Sequence, residues 1–143
     1  MENIHPLPEQ MEALMKKADD ETPMVMINLL KFRERANYPE GMDVEPCSGR
    51  EAYQRYGALA GEKVAAVGGR LVWQGSVQNV VIGPSAESWD EALLVEYPSR
   101  KAFFKMATDS EYLKAAVHRT AALSDSRLIA VTTENAVFEP LKS

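Results

Sequence analysis

The sequence predicts an α+β domain, a four-stranded antiparallel sheet with two long helices on one of its faces. From Pro23 onward the periodic segments run strand, helix, strand, strand, helix, strand. The first of these, Met24–Phe32, is apolar on both sides, as a strand in the middle of a covered sheet must be. Two serines, Ser48 and Ser99, mark where the helices start. A chain of 143 residues with 45% apolar and 26% charged side chains has enough material for one core and too little for two ordinary domains.

Leu7 to Asp20 reads as an amphipathic helix. Pro8 suits a first turn, Glu9 favours the positive end of the helix dipole, and Met11, Leu14, Met15 and Ala18 form one stripe. Met24–Phe32 follows Pro23 and contains no Gly or Pro. Its alternation sorts Val25, Ile27 and Leu29 to one face and Met24, Met26, Asn28, Leu30 and Phe32 to the other. Residues 33–47, with Asn37, Pro39, Gly41 and Pro46, have little periodicity and form a long loop, expected to be a mobile lid or a partner contact.

Ser48-Gly49-Arg50-Glu51 is a capping box, worth about 1 kcal/mol to the first turn. Ala52, Tyr53, Tyr56, Ala60, Val64 and Val67 continue at helical spacing until Gly68-Gly69, a left-handed stop. Arg70–Gln74 is the second strand, broken at Gly75, with Val77–Ile82 as its continuation or a small extra strand. Glu91–Tyr97 is the third, with Leu93, Val95 and Tyr97 on one face and Ala92, Leu94 and Glu96 on the other. Ser99 caps a helix carrying Ala102, Phe103 and Met106, and Asp109 caps a second segment through Thr120. Arg127–Thr133 is the last strand.

This order is the split βαβ of the ferredoxin-like fold, βαββαβ, in which the first and third strands are the central pair. It divides the chain into an N-terminal helical extension (1–22), the ferredoxin-like domain (23–134) and a tail (135–143). Val25, Ile27, Leu29, Leu93, Val95 and Tyr97 are then expected under the helices, leaving Met24, Met26, Leu30, Phe32 and Leu94 on the open face. Each such side chain forgoes roughly 1.5–3 kcal/mol if left in water, so the face needs a cover. The N-terminal helix is one candidate. A second copy of the sheet is the better one, because a single patch then covers itself about a two-fold axis.

The composition excludes several function classes. The net charge is −5 and the basic residues are scattered, which argues against a nucleic-acid partner. No apolar run approaches a membrane span and the polar N-terminus does not read as a signal peptide, so a cytoplasmic protein is expected. Cys47 is the only cysteine; with no base nearby in sequence it reads as an incidental loop thiol, and His5 and His118 alone make no zinc cluster. Elbow, phosphate-loop, dinucleotide and zinc-protease motifs are absent, and neither a metal nor a cofactor is expected.

The run Gly68-Gly69-Arg70 into a strand, the string Leu94-Val95-Glu96-Tyr97-Pro98-Ser99, Ser110-Glu111-Tyr112-Leu113, His118-Arg119 and Asp125-Ser126-Arg127 together resemble the bacterial domain of unknown function 1330 family, over about Pro23 to Thr133. That family is similar in fold to the dimeric α+β barrels, whose paired sheets face each other around a cavity. The resemblance implies a homodimer, with a small apolar or aromatic metabolite bound between the sheets. The alternative it implies is a cofactor-free enzyme of the monooxygenase or isomerase type. No catalytic residue follows from it.

For the site itself, Asn28 and Glu96 fall near the middles of adjacent strands and are expected together on the cavity face. There a carboxylate among apolar groups becomes a better base, or else bridges to a cation of the partner chain. His118 and Arg119 end a helix, as a rim of the site or as dipole caps. Trp73 is a further candidate contact for the ligand.

Overall fold

The structure, a computed structural model, describes residues 3–17 and 21–142. Its elements are α1 (Pro8–Met15), β1 (Met24–Phe32), α2 (Gly49–Ala66), β2 (Arg70–Ser76), β3 (Glu91–Tyr97), α3 (Arg100–Ala107), α4 (Ser110–Ala122) and β4 (Leu123–Val131). The strands form one antiparallel sheet in the order β2-β3-β1-β4, the ferredoxin-like arrangement with β1 and β3 at its centre.

The caps act as their residue types require. Ser48 Oγ accepts the Glu51 N–H at 3.0 Å while Glu51 Oε1 accepts the Ser48 N–H at 2.9 Å. Ser99 Oγ takes the Ala102 N–H and Asp109 Oδ2 the Tyr112 N–H, both at 3.0 Å. Gly68, with φ +84°, ends α2.

One packed layer lies between sheet and helices, in two clusters. Leu30, Cys47, Ala52, Leu93, Ala122 and Leu123 form one, with Phe32 and Tyr53 against it; Met24, Met26, Tyr97, Phe103 and Met106 form the other, joined by Met11 and Leu14 of α1. The faces of β1 are therefore the reverse of the expected ones. Met24, Met26, Leu30 and Phe32 lie under the helices, and Val25, Ile27 and Leu29 are on the open face. Alternation within a strand that is apolar on both sides does not say which side is which. The β3 register does: Met24, Met26 and Asn28 stand opposite Tyr97, Val95 and Leu93, the β3 residues correctly expected under the helices. With Met11 and Leu14 in the helix-side core, α1 does not cover the open face.

Other boundaries also move. The helix expected over Leu7 to Asp20 is described over Pro8–Met15; Met15 is exposed, and Ala18, Asp19 and Asp20 lie outside the described residues. β2 runs through Gly75, where an added Cβ would meet the Trp73 ring at 2.8 Å, so this glycine makes room for the indole instead of ending the strand. No strand forms over residues 77–82, where Val81 and Ile82 stand in solvent. β4 begins at Leu123, directly from α4, and ends at Val131.

The long loop is pinned to the helix side. Ala36 N–H bonds Cys47 C=O at 2.9 Å and Asn37 N–H bonds Ala121 C=O at 2.9 Å, while Arg35 bridges Ser48. The expected lid over the open face is thus a segment docked beside α2 and α4. Cys47, at its end, is buried in the core.

Candidate functional site

The structure sets the five candidate site residues in separate surroundings. Glu96 and Trp73 are on the open face, on β3 and β2. Asn28 points the other way, between sheet and helices, where it is buried and its Nδ2 donates to the Met26 carbonyl at 3.2 Å. It does not meet Glu96: in the ladder Glu96 stands opposite Val25, and Asn28 opposite Leu93.

Glu96 is 0% exposed. Its Oε1 accepts a hydrogen bond from Arg70 Nε at 2.9 Å and its Oε2 accepts the Leu141 N–H at 3.2 Å. Arg70, its cross-strand neighbour on β2, also donates through Nη2 to the Glu139 carbonyl at 2.6 Å, and its guanidinium lies 5.6 Å from the centre of the Phe138 ring. The ion pair is thus within one chain, and together the two side chains clamp the tail across the open face. A carboxylate is expensive to bury unless paired and hydrogen-bonded; here both oxygens are used.

Between tail and sheet is a cavity of about 430 Å³. Its floor is Val25, Ile27, Leu94 and Val131, and the tail supplies Phe138 and a polar run from Thr132 to Asn135. Trp73, paired with Leu94, is 53% exposed. Trp89 is buried near the far end of the sheet, with the Arg127 guanidinium 4.9 Å from its ring.

His118 and Arg119 diverge, as consecutive helical residues must. Arg119 donates from Nη1 to the Ile4 carbonyl at 2.7 Å and from Nη2 to Ser126 Oγ at 3.3 Å, joining the N-terminal segment to β4. His118 meets the long loop: its Nδ1 is 2.7 Å from Tyr38 Oη, and Arg55 Nη1 is 3.3 Å from the same oxygen. A guanidinium can only donate, so Tyr38 accepts from Arg55; its oxygen has a second lone pair, and which of Tyr38 and His118 donates in the other bond follows the imidazole tautomer. Burial and then the charge of Arg55 hold the His118 pKa below its ordinary 6.5. Beside Tyr38 runs a groove of about 550 Å³.

Tyr53 and Tyr56 belong to the core, as their place on the α2 stripe suggests. Tyr56 Oη is 2.9 Å from Tyr112 Oη, and burial pushes the Tyr53 hydroxyl up to about 12. Among the described residues no three His, Cys, Asp or Glu side chains converge as a metal site, and no described helix is long and apolar enough to cross a membrane.

Residues 45–133 match the profile of a domain of unknown function, DUF1330. The chain belongs to the DUF1330 family. The matched span starts later than the resemblance at Pro23 suggests, although similarity to a solved relative extends over nearly the whole chain. That relative is the RPA0582 protein of Rhodopseudomonas palustris, of unknown function. It is 39% identical over 96% of this chain and 98% of that chain, with a TM-score of 0.86. Two distant structures share the fold with a TM-score of 0.50. Hydroxynitrile lyase from Passiflora edulis is 12% identical over 83% of this chain and 99% of that one. A NIPSNAP-like domain protein from Burkholderia xenovorans is 14% identical over 85% and 92%. No curated protein matches the chain.

In this DUF1330 protein the sequence reading missed Arg70, Tyr38, Arg55 and the tail. Arg70 was recoverable, because pairing β2 with β3 places it beside Glu96. Tyr38 carries no such signal, for its loop has no period from which to infer a neighbour.

Proposed function

We propose that this DUF1330 protein binds a small, largely apolar or aromatic metabolite on the open face of its sheet, in a cavity that a second copy of the chain completes. The hollow of about 430 Å³ under the tail carries the reading. Small-molecule sites are concave, mostly apolar and furnished with a few polar groups; this one has an aliphatic floor with threonine, glutamate and asparagine above it. Nearby on the same face, Trp73 and Ile129 leave 53% and 49% of their surface in water. Covering side chains of that size gains roughly 1.5–3 kcal/mol each, and two sheets stacked about a two-fold axis cover each other with the same residues.

The dimer once expected through Met24, Met26, Leu30 and Phe32 is thereby reassigned to Val25, Ile27, Leu29, Leu94, Ile129 and Val131. Light scattering at micromolar concentration is expected to give about twice the 15.9 kDa of one chain. The dye anilinonaphthalene sulfonate, an apolar aromatic probe, is expected to bind with enhanced emission. Ile27→Asp sets a charge on the cavity floor and is expected to abolish both. A single-chain mass for the unaltered protein, or undiminished dye binding by Ile27→Asp, overturns the reading.

A further inference from the structure

The open face of the sheet is laid out in rows that run across the strands. At one end Arg70, Glu96, Val25 and Val131 make the row over which the tail is clamped. Trp73, Leu94, Ile27 and Ile129 make the next, and beyond it Gly75 and Ala92 lead to Leu29 and Arg127. Leu94 and Ile27 of the middle row belong to the cavity floor, so Trp73 continues that floor toward the edge of the sheet.

The indole does not stand away from this face. A Cβ built on Gly75 would meet its Cζ2 and Cη2 at 2.8 Å and its Cε2 at 3.6 Å, so the six-membered ring is folded over the glycine two residues on. Any larger residue at 75 would lift it. Ala92, beside Gly75 on β3, is also small, so no bulky side chain rises at that flank. Trp73 still keeps 53% of its surface in water. One side of the ring is seated on main chain and the other is presented to the open face.

We infer that the Trp73 ring, seated on Gly75, is a stacking shelf that selects a planar aromatic ring in the ligand over an aliphatic body of the same size. The inference rests on the reading of the open face as a ligand site and names the class of ligand that site takes. An aromatic pair in offset or edge-on contact gains affinity beyond the apolar area it covers, whereas an aliphatic ligand gains from the area alone. A ring already seated before binding gives up little rotamer freedom when the ligand arrives. In a dimer the ligand then lies between the indole and the facing sheet. Of the charged side chains in the three rows, Arg70 and Glu96 hold each other, and Arg127 pairs with Glu87 and Asp125. An uncharged ring is therefore the one that fits.

Two compounds of one carbon skeleton make the test: 2-naphthol, which is planar, and decahydro-2-naphthol, which is not. Affinities come from isothermal titration calorimetry, and the place of binding from the indole N–H resonances of the two tryptophans in 15N-labelled protein. Trp73→Leu assigns the Trp73 resonance by its loss; Trp89, buried beside Arg127, is the internal control. The intact protein is expected to bind 2-naphthol about three- to tenfold more tightly than its saturated counterpart. Its Trp73 resonance is expected to shift while that of Trp89 stays. Trp73→Leu keeps the apolar bulk and is expected to bind the two compounds alike, with an unchanged mass by light scattering. Gly75→Ala keeps the indole but lifts it, and is expected to reduce the preference as well.

Equal affinities with an unmoved Trp73 resonance overturn the shelf and leave the cavity reading standing, whereas if neither compound binds, the cavity reading falls with it. A preference for 2-naphthol that persists in Trp73→Leu overturns the shelf alone. So does a smaller mass for that variant, because the indole is then a contact for the second copy of the chain.

Discussion

Gly49→Ala is expected to cost this protein much or all of its stability, although alanine is the better helix former. A Cβ at position 49 would lie 2.2 Å from the Arg33 carbonyl oxygen, 2.6 Å from that of Ala122 and 2.8 Å from the Arg33 nitrogen. All three are main-chain atoms, so no rotamer change relieves the clash. The end of β1, the start of α2 and the end of α4 meet there. Gly49 N–H bonds Arg33 C=O at 3.1 Å, and Arg33 N–H bonds Ala122 C=O at 2.8 Å. Separating them adds two lost hydrogen bonds, about 1 kcal/mol each, to an overpacking cost of about 1–3 kcal/mol. The sum, about 3–5 kcal/mol, is a large share of the roughly 5–15 kcal/mol that a domain has. Gly57, on the same helix with nothing within 4 Å of its added Cβ, is the control; Gly57→Ala is expected to be neutral or to stabilise by up to about 1 kcal/mol. Urea unfolding of the two variants measures the contrast, and equal midpoints would refute it.

The second large effect is expected at Glu96. Removing one partner of a fully buried ion pair costs about 3–5 kcal/mol. Arg70, however, is 42% exposed and can turn to water, so about 2–3 kcal/mol is expected for Glu96→Ala. The more specific consequence is release of the tail. With neither oxygen left to hold the Leu141 N–H, and Arg70 no longer held toward the Glu139 carbonyl, chymotrypsin should cleave after Phe138 many times faster than in the unaltered protein. Arg70→Ala should free the same bond with a smaller loss of stability. If Glu96→Ala unfolds earlier yet protects Phe138 as before, the pair supports the sheet and does not clamp the tail.

Helix starts were legible because they rest on local chemistry, serine and aspartate caps and a glycine stop, and the pairing of β1 with β3 followed from matching the order of the elements to the ferredoxin-like fold. Which side of β1 faces inward was not. Val25, Ile27 and Leu29 are as apolar as Met24, Met26 and Leu30, and the polar Asn28 suggests a solvent or cavity face when in fact it is buried beneath the helices. Glu96 is on the open face, as expected, but neither Asn28 nor a cation of a second chain is its partner. Its partners come from β2, through a hairpin with a bulge between Leu71 and Trp73, and from a tail without period or cap. Such long-range contacts leave no trace in a window of sequence. The same holds for Tyr38 and His118, eighty residues apart.

The burial of Cys47 gives the protein an internal clock. Its sulfur belongs to the same packed cluster as Leu30 and Leu123, yet its main chain closes the loop that carries Tyr38. A thiol reagent in solution must wait for that loop to lift away, so the labelling rate at low reagent reports the free energy of this local opening without any engineered probe. Because the chain has one cysteine, the signal has one source. A ligand confined to the hollow under the tail would leave the labelling unchanged, while anything that holds the loop down would slow it, so a colorimetric reagent and a stopwatch tell on which side of the sheet a ligand acts.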